Sequence, residues 1–538
     1  MFESPARIWY NVSKNLQVLE GSSLNKKSAA RTAAVIEIGS NNVRMHVSQL
    51  SKDQVVTLDQ LEYPVGLGHD VFADGLISFE SLRELSAVLG KFSAALLSYR
   101  VEKPKVISCT ALREAKNRSL VADQLRVRNG LEVQVLEDSQ EKAYIYSEII
   151  KKLSGRPPLS GNTMIAYIGS GSIGVAVFDG ARIIYSQNIS MGASKLHDVL
   201  RGLRTRAEDF HIILEEYMDT ILNRVDIASF QVQNLVLTGS QIGLVTKLCG
   251  ALATPVPAIP TAKLSALFQS VRSLTAESIA NRFAIPEEKA AVLYTALFIY
   301  HGMLRFCPGA KSFLAPVVDI SEAVVRYLLI PKAGAEWDAY LQQSALACAE
   351  QTALRFGCDL DHCRFIGDFA CKIFDKMKRV HGLDPSKRLI LQLAATLHSC
   401  GRFVSVRQHN RCTFDLIKGM DIFGLSSSEV LEVAFVAGSI SNNLAVEENQ
   451  DFALLPNEEK LVISKLAAMF RMANALDKSH RAKLRDLKVS MEEDRVIFKA
   501  EASGNTLLER WSFRESAAFF TDVFGLSPEL TVKLTMLS

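Results

Sequence analysis

AAVIEIGSNNVRMHV, residues 33–47, runs apolar into Gly39-Ser40-Asn41-Asn42 and then apolar again. MIAYIGSGSIGVAVF, residues 164–178, repeats the plan around Gly169-Ser170-Gly171-Ser172. Each reads as strand, small-residue turn, strand. Helical patterns follow both, at Leu82–Leu97 and Ala207–Val225, with a further strand at Leu235–Leu237. Small residues at such a tip let successive backbone N–H groups approach an anion without a bulky Cβ substituent between them. A plain β-turn accounts for either tip alone. Their recurrence after matching strands points to a duplicated α/β fold with two phosphate-sized loops facing across a cleft.

The composition limits what else the chain can be. With 538 residues it exceeds a single ordinary core, so several domains are expected. Its 61 Lys+Arg against 58 Asp+Glu leave a net charge of +3, which gives no reason to expect nucleic acid or a membrane surface as partner. The longest apolar runs, such as Ala290–Tyr300, fall short of the roughly 20 residues of a membrane span. Nine scattered cysteines form no CxxC pair, and Cys358, Cys363 and Cys371 with His362 fit no usual zinc spacing. An odd cysteine count without a secretory signal is the pattern of a reducing, cytoplasmic setting.

Five segments are expected. Residues 1–30 read as a polar arm, 31–155 as the first α/β unit and 156–324 as the second. Long helical patterns fill 325–485: Ala339–Arg355, Cys363–Val380, Lys387–His398, Ser426–Ser441 and Leu461–Leu476, with Gly and Pro at the joins. The remainder, 486–538, alternates over Leu487–Phe498 and Leu507–Phe513. It reads as a small strand-containing module closed by a helix.

The wider strings resemble the exopolyphosphatase/guanosine pentaphosphate phosphohydrolase (Ppx/GppA) family in consistent order over about 30–500. The 33–47 stretch is similar to its first phosphate loop, with Glu37 in place of an Asp and Asn42 in place of a Ser. SCTALREAKN (108–117) resembles the Thr-Ala-x-Arg-Glu-Ala motif, GSGS the second loop, SMGASKL the element at Gly192, and LVLTGSQ the turn at Gly239. HGLDPSKRLILQLAATLHSCGRFVS and RMANALDKSH look like the appended helical domain. The resemblance implies duplicated actin/sugar-kinase/heat-shock-ATPase-like (ribonuclease H-like) domains, then an HD-like helical domain and a small α+β module. It also implies polyphosphate or a guanosine polyphosphate as ligand, Mg²⁺ as cofactor, and a homodimer through the helical half. Arg113 would hold phosphate oxygens, together with both loops and Gly239, and Glu37 is a candidate metal ligand.

Several positions depart from the family pattern. In EDSQEKAYIY (137–146), anchoring on Ala143 puts Glu141 at the first Glu of a Glu-Glu pair and Lys142 at the second. If the first is the base, Glu141 carries that role; if the second, a Lys has replaced it. Tyr167 stands for the Asp that opens the second loop and Gly174 for the Glu that closes it. A phenol, with a pKa of about 10, is a poor ligand for a hard cation. In the helical half an HD metal set is interrupted: His398 is followed by Ser399, Gln408–Thr413 replaces a His-rich string, and Ser439-Ile440 replaces a Tyr-His pair. His381, His398, His409 and His480 read as packing residues. Lys378, Arg379, Arg402, Arg407 and Arg411 are available to extend a phosphate groove, or are ordinary solvated helix charge. Two readings follow: a phosphohydrolase with weak or lost turnover, or a non-catalytic polyphosphate or alarmone sensor.

Overall fold

The structure, a computed structural model, describes residues 31–534 apart from 53, 158, 205–209, 253 and 440–449. The 1–30 arm and Ile440 lie outside the described residues. The first unit is a five-stranded sheet of β1 (Thr32–Ile38), β2 (Asn42–Ser51), β3 (Gln54–Pro64), β4 (Lys105–Ser108) and β5 (Val133–Val135) in the order β3-β2-β1-β4-β5. The second has β6 (Thr163–Ile168), β7 (Ile173–Phe178), β8 (Ile183–Ile189), β9 (Asn234–Gly239), β10 (Ala258–Pro260) and β11 (Ser312–Leu314) in the order β10-β11-β9-β6-β7-β8. In each unit the first strand pairs antiparallel with the second and parallel with the fourth. Both glycine tips therefore sit at the same topological point, and the duplicated actin-like ATPase topology is present.

Alternation along the strands divides the cores. Ile36 and Ile38 of β1 join the outer core of the first unit, and Met164, Ala166 and Ile168 of β6 that of the second. Val35 and Ile165, one residue out of phase, point into a shared core between the sheets. The Asp138–Ser154 and Ile320–Leu329 helices fill that space with Tyr146, Ile149, Val324 and Leu329. Although it follows the second unit in sequence, the Ile320–Leu329 helix packs on β1, β2 and the Asp138–Ser154 helix. There Arg326 pairs with the buried Glu148.

The helices at Pro331–Arg355, Leu360–Lys376, Lys387–Leu397, Ser427–Gly438 and Asn457–Ala475 realise the expected helical domain. Capping sets their starts: Ser426 and Glu429 form a reciprocal box, and Asp359 accepts from the His362 amide. The domain docks through Phe423, stacked on Tyr146, and through Leu425, whose carbonyl accepts from Ser139 Oγ at 2.6 Å. The C-terminal module differs from its sequence reading. β12 (Leu484–Met491) and β13 (Arg495–Ala502) are strands, but Leu507–Phe513 opens a helix, Leu507–Phe524, and the last element is β14 (Ser527–Leu534). Phe513, Ser516 and Phe520 recur at helical spacing on the buried face, whereas seven residues of Leu507–Phe513 were too few to separate the two periods.

Candidate phosphate site

Both tips are held from behind through their carbonyls. Ser40 and Asn41 accept from the amides of Gly68 and Val65, and Gly169 and Ser170 accept from those of Ala193 and Lys195. Among the described residues, the amides of Ser40, Asn41, Ser170, Gly171 and Ser172 carry no hydrogen bond. Rows of such donors form an anion-binding concavity. The units touch across these tips: Asn41 Nδ2 donates to Ser194 Oγ at 3.4 Å, and Lys195 pairs with Glu114 at 2.6 Å. Gly171 lies so close to Thr110 that a Cβ there would fall 2.0 Å from its methyl. Gly239, at φ +136°, sits beneath β6, where a Cβ would meet the Ile168 carbonyl at 2.0 Å. Its place is thus a buttress at the root of the second loop.

Gly192 packs directly against the loop itself. A Cβ added there would fall 2.5–2.6 Å from the backbone of Gly169 and Ser170. Gly192→Ala is expected to displace that loop and weaken binding of inorganic polyphosphate at least about tenfold, the scale of one lost charge-assisted hydrogen bond. Calorimetric titration checks this, and unchanged affinity would remove the second loop from the site.

The charged groups converge from two elements. A capping box of Glu137 and Gln140 fixes the start of the Asp138–Ser154 helix, which places Asp138, Glu141 and Lys142 on one face at spacings of three and four. Arg113, on the short Thr110–Glu114 helix after β4, meets them. Its terminal nitrogens donate to Glu141 Oε2 and Asp138 Oδ1, both at 3.0 Å, and to the Leu136 carbonyl and Thr110 Oγ1. All four terminal N–H donors are thereby engaged inside the protein. Arg113, expected to hold phosphate oxygens, here clamps two carboxylates.

Lys142 is fully buried, with Nζ 2.8 Å from both Asp138 Oδ1 and Ser172 Oγ and 3.6 Å from Glu141 Oε1. Burial alone would raise the Asp138 carboxyl, but Lys142 and Arg113 hold it below the usual carboxylate range. Glu37 behaves oppositely. Burial, then the nearby Asp319, push it up to about 7, against the opposing pull of Arg44. Its Oε2 accepts from Ser321 Oγ at 3.3 Å. Tyr167 is held neutral, since burial drives its phenol well above the ordinary value.

Asp138, Glu141, Tyr167 and Gly174 offer no free carboxylate to a Mg²⁺ ion. Asp138 and Glu141 are engaged by internal cations, Tyr167 is neutral, and Gly174 has no side chain. Among the described residues no three His, Cys, Asp or Glu side chains are grouped to hold a metal. Asp138 and Asp319 escaped the sequence reading. A helix-start Asp is ordinarily a cap, and Asp319 does cap the Ile320–Leu329 helix through the Ser321 amide. The helical half likewise brings together residues that the sequence did not pair. His362 bonds Asp477 at 2.8 Å and stacks on His480 with ring centroids 3.6 Å apart, beside His398. Burial lowers His398 to about 3, so it is neutral. His381 bonds the Phe374 carbonyl and the Leu383 amide. Lys378 pairs with Asp375 of the preceding helix, and Arg411 with Asp415 on its own helix. A separate cavity of about 890 Å³ opens between β8 and the helical domain, lined in part by Gln187, Asn188, Arg355 and Asp421.

A duplicated α/β fold with paired anion loops and an appended helical domain defines a phosphate-handling class, and sequence comparison gives the family. The profile described as "Ppx/GppA phosphatase family" matches residues 46–316, and "Ppx/GppA phosphatase, domain III" matches 346–513. The chain belongs to the Ppx/GppA phosphatase family. It is 21% identical over 403 residues to a guanosine-5'-triphosphate,3'-diphosphate pyrophosphatase of Photobacterium profundum, covering 74% of this chain and 78% of that one. Among solved structures it is similar to an exopolyphosphatase from Cytophaga hutchinsonii (17% identity, TM-score 0.49, 56% of this chain and 98% of that one). An Aquifex aeolicus family member is similar too (18%, 0.46, 56% and 99%). No described helix is long and apolar enough to cross a membrane.

Proposed function

We propose that the protein binds a phosphoanhydride chain, inorganic polyphosphate or a guanosine polyphosphate, on its two glycine loops, with hydrolysis of the terminal anhydride weak or lost. The family and the names of its similar members support the ligand class. The observation that carries the reading is the contrast inside the site. Loop amides of both units are free to take an anion, while the two acids beside them are already bound by Arg113 and Lys142. Cleavage needs a base free to accept a proton from an aligned water. Glu141 is 5% exposed and holds Arg113 through one oxygen, with Lys142 beside the other.

Binding and phosphate release measured together on long-chain polyphosphate test this. Saturable binding that weakens with salt is expected, because an extended polyanion is being neutralised. Release should stay at the level of a heat-denatured sample. Rapid release by the unmodified protein would overturn the lost hydrolysis, and absence of binding would overturn the ligand class.

A further inference from the structure

Lys142, Tyr167 and Gly174 occupy one small volume. A Cβ on Gly174 would fall 2.5 Å from Tyr146 Oη and 2.9 Å from both Cδ and Cε of Lys142. The Lys142 stem therefore lies in the space that a side chain at 174 would take, and in this packing glycine leaves that space to it. Tyr167 forms another wall, its ring centroid 5.2 Å from Lys142 Nζ, at the distance of a cation–π contact. Beyond the stem, the ammonium reaches Ser172 at the second tip and is flanked by Asp138 and Glu141. Lys142, Tyr167 and Gly174 are thus one repacked unit rather than three separate losses. Tyr167 and Gly174 offer no carboxylate to a divalent cation, and a tethered cation stands beside the loop.

From this packing, and resting on the phosphate-binding reading above, we infer that Lys142 is a built-in cation of the site, so that the chain binds its phosphate ligand without a divalent metal. A buried ammonium beside a row of loop amides presents positive charge to an anion at the second tip, and no ion has to be recruited from solution. Its charge is held by Asp138 and Glu141, which Arg113 in turn clamps from the other side. A side chain at 174 would have to displace the Lys142 stem and the Tyr146 hydroxyl.

The test is calorimetric titration of inorganic polyphosphate onto the full chain, once with excess EDTA and once with excess Mg²⁺, together with titration of Mn²⁺ alone. We expect binding in EDTA within about twofold of that in Mg²⁺ and no saturable Mn²⁺ site. Lys142→Met keeps the stem and removes the charge, and should lower metal-free affinity about tenfold, because the positive charge behind the second tip is gone. Binding that requires Mg²⁺, a saturable Mn²⁺ site, or full affinity of a folded Lys142→Met variant would each overturn the inference while leaving the phosphate-binding reading intact. No binding in either buffer would instead remove that reading, and the inference with it. Should Lys142→Met fail to fold, the comparison of EDTA with Mg²⁺ on the unmodified protein decides.

Discussion

Arg113→Met should lower the unfolding free energy of the α/β units by about 3–5 kcal/mol, the cost of leaving buried carboxylates without their cation. The guanidinium is only 10% exposed and bridges Glu141 and Asp138, whose side chains are 7% and 18% exposed. Lys142 still holds Asp138 in the variant, which puts the loss toward the lower end of that range. Trp337 gives the readout. It stacks on Tyr144, one turn beyond Glu141 on the same helix, at 5.3 Å, so its fluorescence in a urea titration follows this region. Adding Glu141→Gln to Arg113→Met should recover a good part of the loss by removing the charge left unpaired. A loss below about 1 kcal/mol, the level of an exposed ion pair, would show that the guanidinium does not hold these acids.

Glu37→Gln should change how stability depends on pH. The Glu37 carboxyl is raised from 4.5 to about 7, first by burial and then by Asp319. Between those values the folded protein holds a proton that the unfolded chain has released. Its contribution to stability is therefore complete below pH 4.5 and is lost as pH rises through about 7. With glutamine there, that slope should vanish, and above the window the variant should be more stable than the parent by up to about 3 kcal/mol. The same proton bears on the ligand, because an ionised Glu37 beside the first loop repels a polyanion. Polyphosphate should bind the parent more tightly below the window than above it, and Glu37→Gln should bind equally in both. A parental slope that persists in Glu37→Gln, in both unfolding and binding, would assign the titration elsewhere.

Local pattern was enough for much of the architecture. Apolar runs on either side of Gly39–Asn42 and Gly169–Ser172 read as hairpins, and their recurrence made the duplication legible in the sequence. The helical domain was legible for the same reason, since a 3.6-residue period sustained over several turns has no other economical explanation. Short-range cues failed where a segment was brief, as at Leu507–Phe513. They were silent where partners are remote: Glu37 with Ser321, 284 residues apart, or His362 with Asp477, 115 apart.

The chemistry of the site lies in that second class. Identity and order of residues established that a lysine stands at 142, a tyrosine at 167 and a glycine at 174. That the lysine stem fills the glycine's missing volume, and that Arg113 turns inward to clamp Glu141 and Asp138, came only from the tertiary structure. The reason is physical. A strand or helix announces itself through the spacing of its own side chains, but which charge neutralises which depends on distances between elements that packing alone sets.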